Sequence, residues 1–202
     1  MVSPNVIFWE VDTQKDFMLP GGNLYVPGAE KLLPNIRKLT EPVRDNRVFL
    51  VSHGCFHTQN DPEFSQFPPH CVKGTPGSEC VAEALADRVC RIPNEAAAKL
   101  PADLFQYQQI LMEKQTLNIF ETRHANAVVE KLPRDANFVV FGVVTEYCVA
   151  FAAKGLLKRG RRVSVVQDAI ETLNREDGQK AVSDLRALGA ELITTDQALK
   201  LV

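Results

Sequence analysis

Six short apolar runs punctuate this 202-residue chain, and their spacing leaves few ways to fold it. They are VIFWEVD (6–12), RVFLVSH (47–53), QILMEK (109–114), NFVVFGVV (137–144), RVSVVQD (162–168) and ELITTD (191–196). Near-continuous runs rich in Val, Ile and Phe suit strands covered on both faces. Longer amphipathic stretches lie between them, roughly 29–45, 77–88, 120–132, 146–159 and 175–188, and read as helices. Lys158, Arg159 and Gly160 form a fitting end for the fourth. Strand then helix, repeated, predicts an α/β fold, a parallel sheet with helices on both faces. Right-handed crossovers make it a doubly wound, three-layer αβα domain. With no internal repeat and no linker, one domain is expected over 1–202.

Charge and composition narrow the function classes. The formal net charge is −2, so no global field attracts nucleic acid or an acidic membrane surface. The basic run KRGRR (158–162) has no aromatic interleaving and reads as a helix end and turn. No apolar run approaches the ~20 residues that span a bilayer. The opening MVSPNVIFWEVD has no basic segment before its apolar run, so no secretory leader is expected there. The five cysteines, Cys55, Cys71, Cys80, Cys90 and Cys148, are odd in number and include no CxxC. That pattern predicts reduced thiols and a cytoplasmic location.

In an open parallel sheet, ligands bind beyond the carboxyl ends of the strands. Asp12 closes the first strand candidate, His53 the second, Lys114 the third and Asp168 the fifth, while Cys148 follows the fourth by four residues. Polar residues are ordinary at strand ends, but acid, lysine and cysteine together are chemically coherent. With Thr145 as N-cap, Cys148 falls at the third helical position, where dipole and backbone N–H groups lower a thiol's pKa. A nearby ammonium stabilises the thiolate further. A carboxylate can take the thiol proton and later hand it to a leaving amine. The helix start offers donors for an oxyanion. These parts suit acyl transfer from an amide through a thioester. The segment from about 53 to 80 is long, rich in Pro and Gly, and carries three of the four histidines, which marks it as functional.

The stretches VDTQKDFMLPGGNLYVPGA, FPPHCVKGTPGSE, the lysine of LMEKQ and GVVTEYCV resemble the cysteine hydrolases of the isochorismatase-like superfamily, above all the nicotinamidases. The likeness runs over about residues 5–198 with the motifs in the same order. It implies a six-stranded parallel sheet and an Asp–Lys–Cys triad at Asp12, Lys114 and Cys148, the same set that the strand-end argument selects. It also implies a cis peptide at Val143–Val144, with the Val144 N–H beside that of Cys148 turned toward an oxyanion. Phe17 matches a position that packs on the substrate ring, and Phe67 stands where nicotinamidases usually carry tryptophan. The activity implied is release of ammonia from a small, nicotinamide-like carboxamide, by a homo-oligomer. Other members cleave N-carbamoyl or ureido compounds with the same triad. A catalytically silent scaffold, or a redox or metal sensor built on Cys55 and Cys148, is the non-enzyme alternative.

Nicotinamidases usually hold a divalent metal through Asp-x-His and a later histidine. Here His57 and His70 match the histidines, but Cys55 stands at the aspartate position, in SHGCFH (52–57). Two readings stand. A softer Cys55/His57/His70 set binds zinc or another divalent metal, or metal binding is lost and the pocket serves another amide. Of the remaining residues, Asp16 reads as structural, Cys71, Cys80 and Cys90 as packing, and Glu146 as a carboxylate favoured at a helix start. Tyr147 reads as a pocket or subunit contact, and His124 as surface or core.

Overall fold

Apolar runs that are covered on both faces need helices on both sides of the sheet, and the chain supplies them. The computed structural model describes residues 5–202; residues 1–4, part of the segment read for a leader, lie outside them. In chain order the strands are β1 (Val6–Val11), β2 (Phe49–Cys55), β3 (Val89–Ile92), β4 (Gln109–Lys114), β5 (Asn137–Gly142), β6 (Arg162–Ile170) and β7 (Glu191–Ile193). They form one sheet in the order β3-β4-β2-β1-β5-β6-β7, and every pairing is parallel. The helices are α1 (Lys15–Met18), α2 (Leu33–Arg44), α3 (Ala125–Lys131), α4 (Ala150–Lys158), α5 (Arg175–Ala187) and α6 (Thr195–Leu199).

Period-two alternation divides the strand side chains between two cores. On one face Ile7, Trp9 and Val11 pack with Val128 and Val129 of α3, Ala152 and Leu156 of α4, and Leu185 of α5. On the other, Val6 and Phe8 pack with Ile36, Leu39 and Val43 of α2, Ala198 of α6, and Phe17 and Met18 of α1. This is the three-layer αβα arrangement that the alternation of elements predicts. Among the described residues no helix is long and apolar enough to cross a membrane.

Four expectations need correction. The sheet has seven strands rather than six. The extra one, β3, is a short edge strand with only Ile92 fully buried, so it lacks the apolar run by which the others announce themselves. The 77–88 stretch is not a helix but two short 3-10 turns, Pro76–Ser78 and Ala82–Ala84. Its backbone serves other segments instead, with Lys15 N donating to Glu79 O and Val81 N to Thr13 O, both at 2.9 Å. The 120–132 helix begins only at Ala125, because the Asn118 side chain caps a separate 3-10 turn before it. ELITTD is a strand only as far as Ile193, after which Thr194 and Gln197 form a capping box that starts α6.

One residue in the middle of β1 opposes the folded state. Glu10 is fully buried on the Phe8 face, and neither carboxylate oxygen has a hydrogen-bond partner. Burial raises its pKa well above the usual carboxylate range. The folded carboxyl therefore keeps its proton above the unfolded pKa of about 4.3, and wild-type stability falls as pH rises from there. Glu10→Gln cannot ionise, so it should gain on the wild type by about 1–3 kcal/mol between pH 4.5 and pH 8. Urea unfolding at the two pH values measures this, and an equal gap at both would contradict it.

Candidate active site

From β1 the chain builds β2, β3 and β4 on one side, then crosses to β5 on the other. That reversal between β1 and β5 opens a crevice at the carboxyl ends of the strands. Asp12 follows β1, Cys55 and Lys114 end β2 and β4, and Cys148 lies in the turn after β5. Two backbone features shape the crevice. Asp12 adopts a left-handed φ of 49°, its N–H donating to His53 O at 2.9 Å. Gly142 has a φ of 114°, and a side chain there would meet Val11 O at 2.0 Å. The Val143–Val144 peptide is cis, where the resemblance places it.

The three residues read as a triad come together. Lys114 Nζ lies 2.9 Å from Asp12 Oδ2 and 3.4 Å from Cys148 Sγ. It also donates to Cys55 Sγ at 2.8 Å, so all three ammonium protons have partners. All four side chains are buried. Burial alone would raise Asp12, but the Lys114 ammonium, helped by His53, holds its carboxyl well below the usual range. Burial alone would lower Lys114, but Asp12 and the two sulfurs keep it well above. The resting pair is thus carboxylate and ammonium.

Cys148 departs from expectation in two ways. It lies not at the third position of an α-helix but in a single π-helical turn, Thr145–Val149, that precedes α4. Thr145 does not cap that turn, since its N–H and hydroxyl both donate to Glu171 O, at 2.8 and 2.7 Å. The thiol pKa is raised rather than lowered, because burial and the Asp12 charge outweigh Lys114. A protonated thiol beside an ionised carboxylate is a proton donor placed against its acceptor.

The cluster opens into a narrow cleft walled by Phe17, Leu24, Phe67, Leu117, Tyr147 and Leu173, with Val144 near Cys148. Phe67 and Tyr147 meet edge to face with ring centroids 5.8 Å apart. Phe17 and Phe67, expected at the substrate, both line the cleft, and Tyr147 reaches it. Glu146 does more than favour a helix start. Its carboxylate accepts from the Leu173 and Asn174 backbone N–H groups, at 3.0 and 2.8 Å, and from the Thr172 hydroxyl at 2.5 Å. Those bonds fix Leu173 over the cleft, and only the tertiary meeting of two loops reveals them.

Cys55, His57 and His70 converge, with ligand atoms all within 4.8 Å of one another and all three residues buried. His70 Nδ1 is 2.8 Å from Pro68 O, an acceptor only, so its proton sits there and Nε2 presents a lone pair. His57 Nδ1 lies 3.0 Å from Asp61 Oδ2 without the alignment of a hydrogen bond, and neither of its ring nitrogens has a hydrogen-bond partner. Both Nε2 atoms face Glu63 Oε1, at 3.9 and 3.8 Å. Two imidazole nitrogens and a carboxylate oxygen close together, beside a thiol, fit a divalent cation of the zinc class. Sequence reading missed Glu63 and Asp61, whose loop spacing carries no signal without the fold.

The other singled-out residues are structural. Asp16 accepts from Asn23 N and Cys71 N, at 3.0 and 2.7 Å. Asp168 accepts from Thr195 N at 2.7 Å, holding the start of α6 rather than facing the crevice. Cys71 and Cys80 are buried, Cys90 is half-buried, and burial raises all three thiols, Cys80 to about 12. His124 lies at the start of α3, Nε2 3.2 Å from Glu95 O. In KRGRR, Arg161 donates to Pro133 O and Val129 O, and Arg159 stacks on Phe120.

Comparison with known proteins agrees with this geometry. The sequence model of the isochorismatase domain matches residues 7–197. The chain is 25% identical over 192 residues to the nicotinamidase/pyrazinamidase of Mycobacterium tuberculosis, covering 91% of this chain and 95% of that protein. It is 23% identical over 199 residues to the nicotinamidase of Escherichia coli, covering 91% and 92%. Among solved structures, the zinc complex of the Pyrococcus horikoshii pyrazinamidase superposes with a TM-score of 0.74 at 25% identity, over 95% of this chain and 99% of that one.

A buried ion pair makes a clear prediction. Lys114→Met leaves Asp12 charged and unpaired, and should cost about 3–5 kcal/mol of stability. Adding Asp12→Asn removes the stranded charge and should recover much of that loss. Denaturant unfolding of the two single variants and the double variant measures the coupling, and strictly additive losses would disprove it.

Proposed function

The chain belongs to the isochorismatase family, and from that premise we propose that it is a cysteine amidohydrolase, cleaving a small, flat carboxamide to carboxylate and ammonia. The observation that carries the proposal is the junction of Asp12, Lys114 and Cys148, within 3.4 Å of a shared ammonium and open to an apolar cleft. The curated relatives named above are nicotinamidases, which favours a nicotinamide-like substrate.

Each step follows from the charges in place. Asp12 accepts the Cys148 proton as sulfur attacks the amide carbonyl, and Lys114 keeps the forming thiolate and the carboxylate within one charge cluster. The Val144 and Cys148 N–H groups receive the tetrahedral oxyanion. Collapse breaks the C–N bond, and ammonia leaves with the proton returned by Asp12. Water then adds to the thioester as Asp12 takes its proton, and the Cys148 thiol departs reprotonated. Phe17, Phe67, Tyr147 and Leu173 hold the planar acyl group and exclude bulk water. Cys55, His57, His70 and Glu63 would hold a divalent ion, which would supply a Lewis acid for a polar atom of the substrate.

Ammonia release from nicotinamide, pyrazinamide and N-carbamoyl compounds tests the reaction. Turnover of the aromatic amides is expected, with Cys148→Ala slower by at least about a thousandfold, roughly 4 kcal/mol of transition-state stabilisation. Full activity in that variant would sink the nucleophile assignment, and turnover confined to carbamoyl compounds would move the substrate class. Cobalt(II) titration tests the ligand set separately. A near-ultraviolet sulfur-to-metal band is expected in the wild type and should vanish in Cys55→Ala. Its absence from the wild type would remove Cys55 from the metal site.

A further inference from the structure

The catalytic account leaves one buried side chain at the triad unused. His53, at 1% exposure, lies in β2 directly across from Val11, the residue before Asp12. Its Nδ1 is 3.5 Å from Asp12 Oδ1. Neither ring nitrogen of His53 has a hydrogen-bond partner, and neither does Asp12 Oδ1. The other carboxylate oxygen is engaged, since Oδ2 lies against Lys114 and the Cys55 thiol. The nearest aromatic neighbour, Trp9, has its ring centroid 6.0 Å from the imidazole, and its buried Nε1 is also unpartnered.

Buried polar groups are rarely left without partners, because each lost hydrogen bond is costly in a low dielectric. Here an orphan donor-acceptor ring and an orphan carboxylate oxygen face each other a few tenths of an ångström beyond bonding distance. A neutral imidazole carries one N–H and one lone pair. With the proton on Nδ1 it can donate to Oδ1. A carboxylate held at only one oxygen can swing about its χ2, whereas one held at both cannot.

We infer that His53 is a positioning residue for Asp12, its Nδ1–H closing onto Oδ1 and so fixing the plane in which the carboxylate meets the Cys148 thiol. The backbone bond from Asp12 N to His53 O anchors the same two residues a second time, independently of the side chain. This role rests on Asp12 being the proton acceptor in the amidase reading. His53 touches neither the substrate nor the reacting atoms, so its effect falls on the rate of the chemical step and not on substrate binding.

Two substitutions separate this role from simple packing. Asparagine carries an N–H about where Nδ1 lies, and leucine fills similar space with no donor. His53→Leu should lower kcat by about 10–100-fold, with KM changed less than about threefold, while His53→Asn should recover kcat to within about fivefold of the wild type. A leucine variant with wild-type kcat would overturn the inference, as would a loss equal in both variants or one confined to KM. If the leucine variant does not fold, an asparagine variant that folds but has lost kcat overturns it equally. A second readout needs no substrate. The rate of Cys148 alkylation by iodoacetamide, followed by peptide mass spectrometry, should fall at least about fivefold in His53→Leu and be restored in His53→Asn, because proton acceptance by Asp12 governs it. An unchanged or faster rate in His53→Leu overturns the role of His53. Failure of the wild type to release ammonia from any amide overturns the amidase reading instead.

Discussion

The buried contact between Asp12 and Lys114, 2.9 Å long and shut off from solvent, is the interaction on which the rest of the site depends. Withdrawing two charges from water costs several kcal/mol each, and only close pairing with complete hydrogen bonding offsets that. Lys114 achieves it with one proton to the carboxylate and one to each of two sulfurs. The arrangement therefore needs Cys55 and Cys148 as acceptors as much as it needs Asp12 as a counterion. The same charges keep the Cys148 thiol protonated beside an ionised carboxylate, the state from which the proposed amide cleavage starts.

Cys55 joins two parts of the molecule that are usually discussed separately. Its sulfur accepts from Lys114, and it is also one of the three groups that converge with His57 and His70. Cys55 would thus serve both a metal and the Lys114 ammonium. Replacing a hard oxygen donor by sulfur shifts the site toward softer ions. Glu63, from the same long connection between β2 and β3 as the histidines, faces both of them and brings a carboxylate to the set.

The sheet topology explains why these residues meet at all. A parallel sheet places every strand's carboxyl end at one edge, and the reversal between β1 and β5 leaves a gap there that no connecting helix covers. The left-handed backbone at Asp12 and the glycine at Gly142 let the two central strands end abruptly at that gap. Strain is tolerated at functional positions because the surrounding sheet over-determines them.

By itself the sequence determined the layer architecture and six of the seven strands, and it singled out Asp12, Lys114 and Cys148, which the structure brings together, because long apolar periodicity and strand-end chemistry are local signals. It also pointed to Cys55, His57 and His70 through motif spacing. It could not reveal β3, whose four residues include one fully buried side chain, or the loss of the 77–88 helix to backbone bonds with residues 13 and 15. It misjudged the Cys148 thiol, since a helix start lowers a pKa only where burial and a neighbouring carboxylate do not outweigh it. Tertiary structure alone decided that Glu63 faces the two histidines, that Glu146 fixes Leu173, and that His53 lies against Asp12. The Glu146 and His53 contacts join different loops or strands, and the Glu63 contact needs the long connection from β2 to β3 to fold back on itself, so none of these distances is set by a local pattern in the chain.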